Sequence, residues 1–131
     1  RHLVPAAGHS SIQWSIEMSF PPCKITVRKT LYQADLARKY RRPEVHQGPC
    51  PFFEVGQEFH VEYLAERPEG FACDWAWDDM HKIILVLMTG GNFGTWMVNK
   101  DQFITCCTDG IKPVVFKVER IENGLMESMK R

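Results

Sequence analysis

The sequence predicts an α+β domain: a small antiparallel sheet of about four strands with one main helix packed on it. Three observations carry that expectation. Alternating, β-branched stretches recur at residues 24–29, 58–64, 102–108 and 111–121. One long stretch, residues 73–89, carries its apolar residues at helical spacing. Between the last two alternating stretches stands Asp109–Gly110, the strongest short hairpin signal in the chain, which favours antiparallel neighbours.

In chain order, residues 1–17 (RHLVPAAGHSSIQWSIE) lack periodicity and precede Met18, a natural opening residue. They are expected to be an expression-derived or loose extension, leaving a single domain over residues 18–131. An arm that pairs with a neighbour is the other reading, but only Trp14 and Ile16 offer much to bury. KITVRK alternates and reads as a strand. QADLARKY has helix formers and ends before Pro43, which predicts a short helix. The next stretch, RRPEVHQGPCPFFEVGQ, is rich in proline and glycine and must be loop. EFHVEYL alternates Phe59, Val61 and Tyr63 against Glu58, His60 and Glu62, a half-buried strand. At 100° per residue, Cys73, Ala76, Trp77, Met80, Ile83, Ile84, Leu87 and Met88 gather on one broad face of the main helix. Asp74 is the expected N-cap, with Asp78 and Asp79 near the positive helix start. Gly90–Gly91 supplies the stop.

Composition limits the function classes. The chain has 131 residues, enough for one domain with a real core. Sixteen basic and sixteen acidic residues cancel, which argues against a nucleic-acid or anionic-membrane footprint. The longest apolar run, IILVLM, is far too short to span a bilayer. Five cysteines at 23, 50, 73, 106 and 107 form no C-x-x-C pair, so a reducing, cytoplasmic setting is expected rather than a disulfide scaffold. Nothing in the composition speaks against a homo-oligomer.

The stretch ITCCTDGIKPVVF concentrates the chemistry. A two-residue type I′ turn at Asp109–Gly110 would pair Cys107 with Lys112 and Cys106 with Pro113. Phe103, Thr105, Cys107, Lys112, Val114, Phe116 and Val118 would then share one face, and the adjacent cysteines would point to opposite sides. Cys107 is the expected site thiol, because Lys112 opposite it would favour a thiolate. The plain alternative is that each free cysteine is a small core hydrophobe.

Four ordered motifs, GPCPFFEVGQEF, PEGFACDWAWDDM, LMTGGNF and CCTDGIKPVVFKVERI, together resemble a family of small, mostly prokaryotic proteins of about a hundred residues, with no established activity. Its marks are Cys-Pro, Cys-x-Trp-Ala-Trp, Gly-Gly-Asn-Phe and Cys-Cys-x-Asp-Gly-x-Arg-Pro-Val. The likeness runs from Lys24 to Ile121. Matching positions are Cys50, Pro51, Cys73, Trp75, Trp77, Gly90, Gly91, Cys106, Cys107, Asp109, Gly110 and Pro113. Lys112 stands where the pattern has arginine, which keeps the charge and loses the bidentate fork. Trp96 also lacks the proline that often precedes it. The resemblance implies a site and little chemistry.

Two chemistries fit these residues. The first is a small organic ligand held by aromatic walls, with turnover of isomerase, lyase or cyclase type. Cys107, Asp109 and Lys112 would act on it, and Trp75, Cys73, Cys50, Phe93, Trp96 and His60 would bind it. Trp77 lies on the apolar face and is expected to be core, while Trp75 lies about 160° away and is the more informative ring. The second is a metal-binding or redox-thiol protein, with zinc or another soft metal on Cys50, Cys73 and one of Cys106 and Cys107, or on a helix flank of Asp74, Asp78 and His81. A non-catalytic interaction module is the remaining reading. GGNFG follows a helix and reads as a cap, not as a phosphate loop.

Overall fold

In the computed structural model residues 20–121 are described, and the expectation for residues 1–17 lies outside them. The elements run β1 (Cys23–Thr30), α1 (Ala34–Tyr40), β2 (Glu58–Val61), α2 (Asp74–Met88), β3 (Gln102–Cys106) and β4 (Val114–Arg120). The strands form one four-stranded sheet in the order β2-β1-β4-β3, and every neighbouring pair is antiparallel. The expected fold class is the observed one.

Period-two alternation decides which face is covered. Cys23, Ile25 and Val27 of β1, Val61 of β2, and Val114, Phe116 and Val118 of β4 are buried on the face that α2 covers. From α2 come Ala76, Met80, Ile83, Ile84, Leu87 and Met88, the stripe that the helical spacing predicts. Between sheet and helix lies a knot of rings. Phe53, Phe59, Phe71 and Phe116 pack with centroids 4.9 to 6.2 Å apart, in edge-on and tilted pairs. This knot anchors two loops that the sequence reads as irregular, through Phe53 in one and Phe71 in the other.

β2 stops at Val61 rather than running to Leu64. Its last pair is Cys23 with Val61, and Cys23 begins β1, so Glu62 onward has no strand left to bond. β1 carries a bulge between Val27 and Lys29, beyond which it continues beside β4 alone.

Cys73, not Asp74, caps α2. Its Sγ accepts the N–H of Ala76 at 3.4 Å, while its carbonyl receives Trp77. Asp74 sits one residue later, in the first turn, where it pairs with Arg67. At the other end Gly90 takes φ +95°, and Gly91 N–H returns to the carbonyl of Val86 at 2.8 Å. That is a Schellman ending, as Gly90–Gly91 predicts.

Arg120 of β4 ties this helix end to the sheet. It donates to the carbonyls of Leu87 (2.8 Å) and Gly91 (2.6 Å), and pairs with the Asp101 carboxylate. Cys23 lies in the same region. Burial pushes its thiol up to about 12 against the opposing charge of Arg120, so it is a core hydrophobe and not a nucleophile.

Candidate functional site

Three segments meet at the N-terminal end of α2. The first is the loop at residues 50–53, held by Phe53, which is buried in the ring knot, while Phe52 beside it stays exposed. The second is the start of α2, with Cys73, Trp75 and Ala76. The third is the β3–β4 connection, from Cys107 to Val114. Together they enclose a cavity of about 220 Å³ lined by Cys50, Phe52, Phe53, Cys73, Trp75, Ala76, Cys107, Asp109, Lys112 and Val114.

The connection does not adopt the expected two-residue turn. Gly110 lacks the left-handed φ that a type I′ turn requires. Instead Asp109 Oδ1 accepts the N–H groups of both Ile111 and Lys112 at 2.9 Å, an Asx-type closure that needs no positive φ. The loop is longer in consequence, and the register moves by two residues. Cys106 pairs with Val115, and Cys107 N–H reaches the carbonyl of Val114 at 3.1 Å. Cys107 therefore does not face Lys112 across the ladder. A shift of two preserves the faces, so the adjacent cysteines still point to opposite sides, as expected.

Their exposures follow from those sides. Cys107 is buried against the core, and its Sγ accepts Val114 N–H at 3.3 Å. Cys106 is exposed on the outer face. The expected order of reactivity therefore reverses, since a thiol must be reached before it can react. A mild alkylating agent should modify Cys106 well before Cys107 in the native protein, as read by mass-spectrometric peptide mapping. Faster labelling of Cys107 would mean that the cavity opens to reagent.

The loop is pinned from several directions. Gln33 Nε2 donates to the carbonyl of Gly110 at 2.6 Å, Gln33 N–H to Ile111 at 2.8 Å, and Leu31 N–H to Pro113 at 2.9 Å. Thr108 joins it to the helix, with its N–H 2.7 Å from Asp79 Oδ2 and its hydroxyl 3.1 Å from the same oxygen. The same hydroxyl oxygen accepts Trp75 Nε1–H at 2.5 Å. Trp75 is 64 % exposed, yet its ring is oriented by a bond to Thr108, which is itself held by Asp79 one turn along the helix. An exposed aromatic fixed this way is a wall rather than a loose surface ring.

Asp109 and Lys112 form the polar end of the cavity. Lys112 Nζ donates to Asp109 Oδ2 at 3.1 Å. Partial burial pushes the Asp109 carboxyl upward. The N–H groups of Lys112 and Ile111 and the Lys112 ammonium together outweigh that and hold it below the ordinary carboxylate range. A depressed folded-state value contributes stability that is complete above the unfolded value, about 3.9, and lost as pH falls through the folded one. Asp109→Asn keeps the shape and cannot titrate. Its melting temperature should fall less than the wild type's between about pH 5 and pH 3. Parallel acid profiles in thermal unfolding would show that the ion pair contributes nothing.

Of the residues expected to form a site, the structure brings together Cys50, Cys73, Trp75, Cys107, Asp109 and Lys112. Three it does not. His60 is exposed on β2, beside Glu62, Tyr63 and Arg67, in a separate depression. Phe93 and Trp96 pack with Phe103, at 4.5 and 6.2 Å between centroids, in a small group that does not line the cavity. Aromatic composition alone cannot tell a wall from a loop anchor. Thr108 and Asp79 were not expected to take part. The only sequence signal for them is the four-residue spacing of Trp75 and Asp79, which puts both on one helix flank.

Of the cysteines expected as metal ligands, Cys50, Cys73 and Cys107 line the same cavity, and Cys106 is exposed on the outer face. Among the described residues no three His, Cys, Asp or Glu side chains are grouped to hold a metal ion, which includes the Asp74, Asp78, His81 flank. Among them, too, no helix is long and apolar enough to cross a membrane. The chain matches no protein-family model, no curated protein and no solved structure.

Proposed function

We propose that this protein binds a small organic molecule in the cavity at the start of α2 and turns it over by proton transfer, as an isomerase, lyase or cyclase does. One observation carries the reading. Six residues singled out from three separated stretches of sequence, Cys50, Cys73, Trp75, Cys107, Asp109 and Lys112, line a single cavity with aromatic sides. Ligand sites combine apolar walls with a few convergent polar groups, and a purely structural role would not require those groups to share a void.

Asp109 is a weak base, because its carboxyl is held below the ordinary range and both oxygens are engaged. Its part is to hold the loop and aim Lys112. The ammonium of Lys112 then opposes negative charge developing on the substrate. Cys73, acting as the thiolate, takes a proton from one substrate atom and the thiol so formed returns a proton to another, with no net oxidation. The five free thiols support a reducing, cytoplasmic setting for such a site. The same proposal extends to kinship with the small cysteine-motif family that the sequence resembles, since the motif residues Cys50, Cys73, Trp75, Cys107 and Asp109 are the ones that share the cavity.

The test is ligand-observed NMR on the full chain with a set of ring-sized neutral fragments. Binding should be detected and should disappear in Trp75→Ala. The substitution removes one hydrogen bond from an exposed ring and should cost no more than about 1 kcal/mol of stability. Fragment binding that survives intact in Trp75→Ala would sink the proposal.

A further inference from the structure

We infer that the cavity selects compact, planar carboxylates over neutral or cationic molecules of the same shape. This rests on the cavity being a ligand site and concerns which charge it accepts.

Three features of the wall point the same way. Lys112 is the cation of the lining. Its ammonium has three N–H donors, and among the described residues it meets one acceptor, Asp109 Oδ2. Two donors remain for a ligand. The side chain is only 18 % exposed, so the charge is partly removed from water and set among apolar walls, where an added anion is felt more strongly than at an open surface. Asp109 fixes the ammonium in place beforehand, so little side-chain freedom is lost on binding. The same carboxylate offers a ligand a single acceptor site, because Oδ1 holds two backbone N–H groups and Oδ2 already holds the lysine.

The second feature is the start of α2. The positive end of the helix dipole abuts the cavity at Cys73, Trp75 and Ala76, which favours negative charge there. The third is size and shape. About 220 Å³ lies below the roughly 300–1,000 Å³ of sites for drug-sized ligands, so one ring with a short substituent fills it. Trp75 and Phe52 offer flat apolar surfaces to such a ring.

The acids nearby do not reverse this preference. Asp74, Asp78 and Asp79 line a separate and more open depression on the other side of Trp75. Asp74 is paired with Arg67, and Asp79 is engaged by the N–H and hydroxyl of Thr108. A cation would have to choose that shallower side.

The inference is tested with three probes of one shape and different charge, namely benzoate, benzyl alcohol and benzylamine, titrated at neutral pH against the full chain by ligand-observed NMR. Benzoate should bind about tenfold or more tightly than benzyl alcohol, the worth of one charge-assisted hydrogen bond, and benzylamine more weakly than either. Lys112→Gln should abolish the preference, leaving benzoate no tighter than benzyl alcohol, and Lys112→Arg should keep it. The wild-type charge series decides alone if Lys112→Gln does not fold. Equal binding of benzoate and benzyl alcohol, or a preference for benzylamine, would overturn the charge selectivity and leave the cavity as a ligand site. Failure of all three probes to bind would remove the carboxylate inference and the ligand site together.

Discussion

Arg120→Ala should lower the stability of the folded protein by about 3 kcal/mol, the cost of leaving one partner of a buried ion pair alone. The guanidinium and the Asp101 carboxylate are 16 % and 13 % exposed, so water replaces little of what is lost. The substitution also releases the carbonyls of Leu87 and Gly91, which sit at the end of α2 where helical carbonyls lack internal partners. Lys100 still reaches Asp101 at 3.2 Å, which keeps the loss toward the lower end of the range for buried pairs. Arg120→Lys keeps the charge but loses the planar fork whose two ends reach the carbonyls of Leu87 and Gly91 and the Asp101 carboxylate, so an intermediate loss is expected. Arg120→Met combined with Asp101→Leu should recover part of it, since neither charge is then stranded. Urea unfolding of the four proteins measures all of this. An alanine variant as stable as the wild type would mean that the helix end is not held by this arginine.

Trp77→Ala should cost about 2–4 kcal/mol, somewhat less than a fully buried ring, because Trp77 is half-buried. Its ring meets Phe71 edge-on at 6.0 Å and His81 at 5.8 Å, and it packs against the outer side of the aromatic knot. Phe71 is almost wholly buried and in turn touches Phe53, which carries the loop of Cys50. Loss of Trp77 should therefore weaken fragment binding as well, through the loop rather than by contact, since Trp77 does not line the cavity. Two residues earlier, Trp75→Ala should do the reverse, with little loss of stability and full loss of binding. Equal stability losses in thermal unfolding would make both rings core and would leave the cavity without its aromatic wall.

That contrast between two tryptophans was legible from spacing alone. Two residues turn a helix by about 200°, so Trp75 and Trp77 cannot share a face whatever they pack against. The same local rules reached the α+β class, the buried stripe of α2, the Gly90–Gly91 stop and the opposite directions of Cys106 and Cys107. Each depends on a period or a cap that a few neighbouring residues determine by themselves. Six of the nine expected site residues share the cavity, although they come from three segments that no local period relates.

What failed were questions of partnership. Asp109–Gly110 reads as a two-residue turn, but Gln33 and Leu31 bond the carbonyls of Gly110, Ile111 and Pro113, and the loop lengthens to meet them. The cap passed from Asp74 to Cys73 as Arg67 engaged the aspartate from another segment. His60, Phe93 and Trp96 have the right chemistry for a site and lie elsewhere, since residue type says nothing about distance. Sequence by itself determined which face each side chain takes, because that is set by bond geometry within one turn or one pleat. Only the tertiary structure decided which faces meet, that Gln33 holds the loop at Gly110, and that Thr108 holds Trp75, because those contacts join residues 77 and 33 positions apart and no local period encodes them.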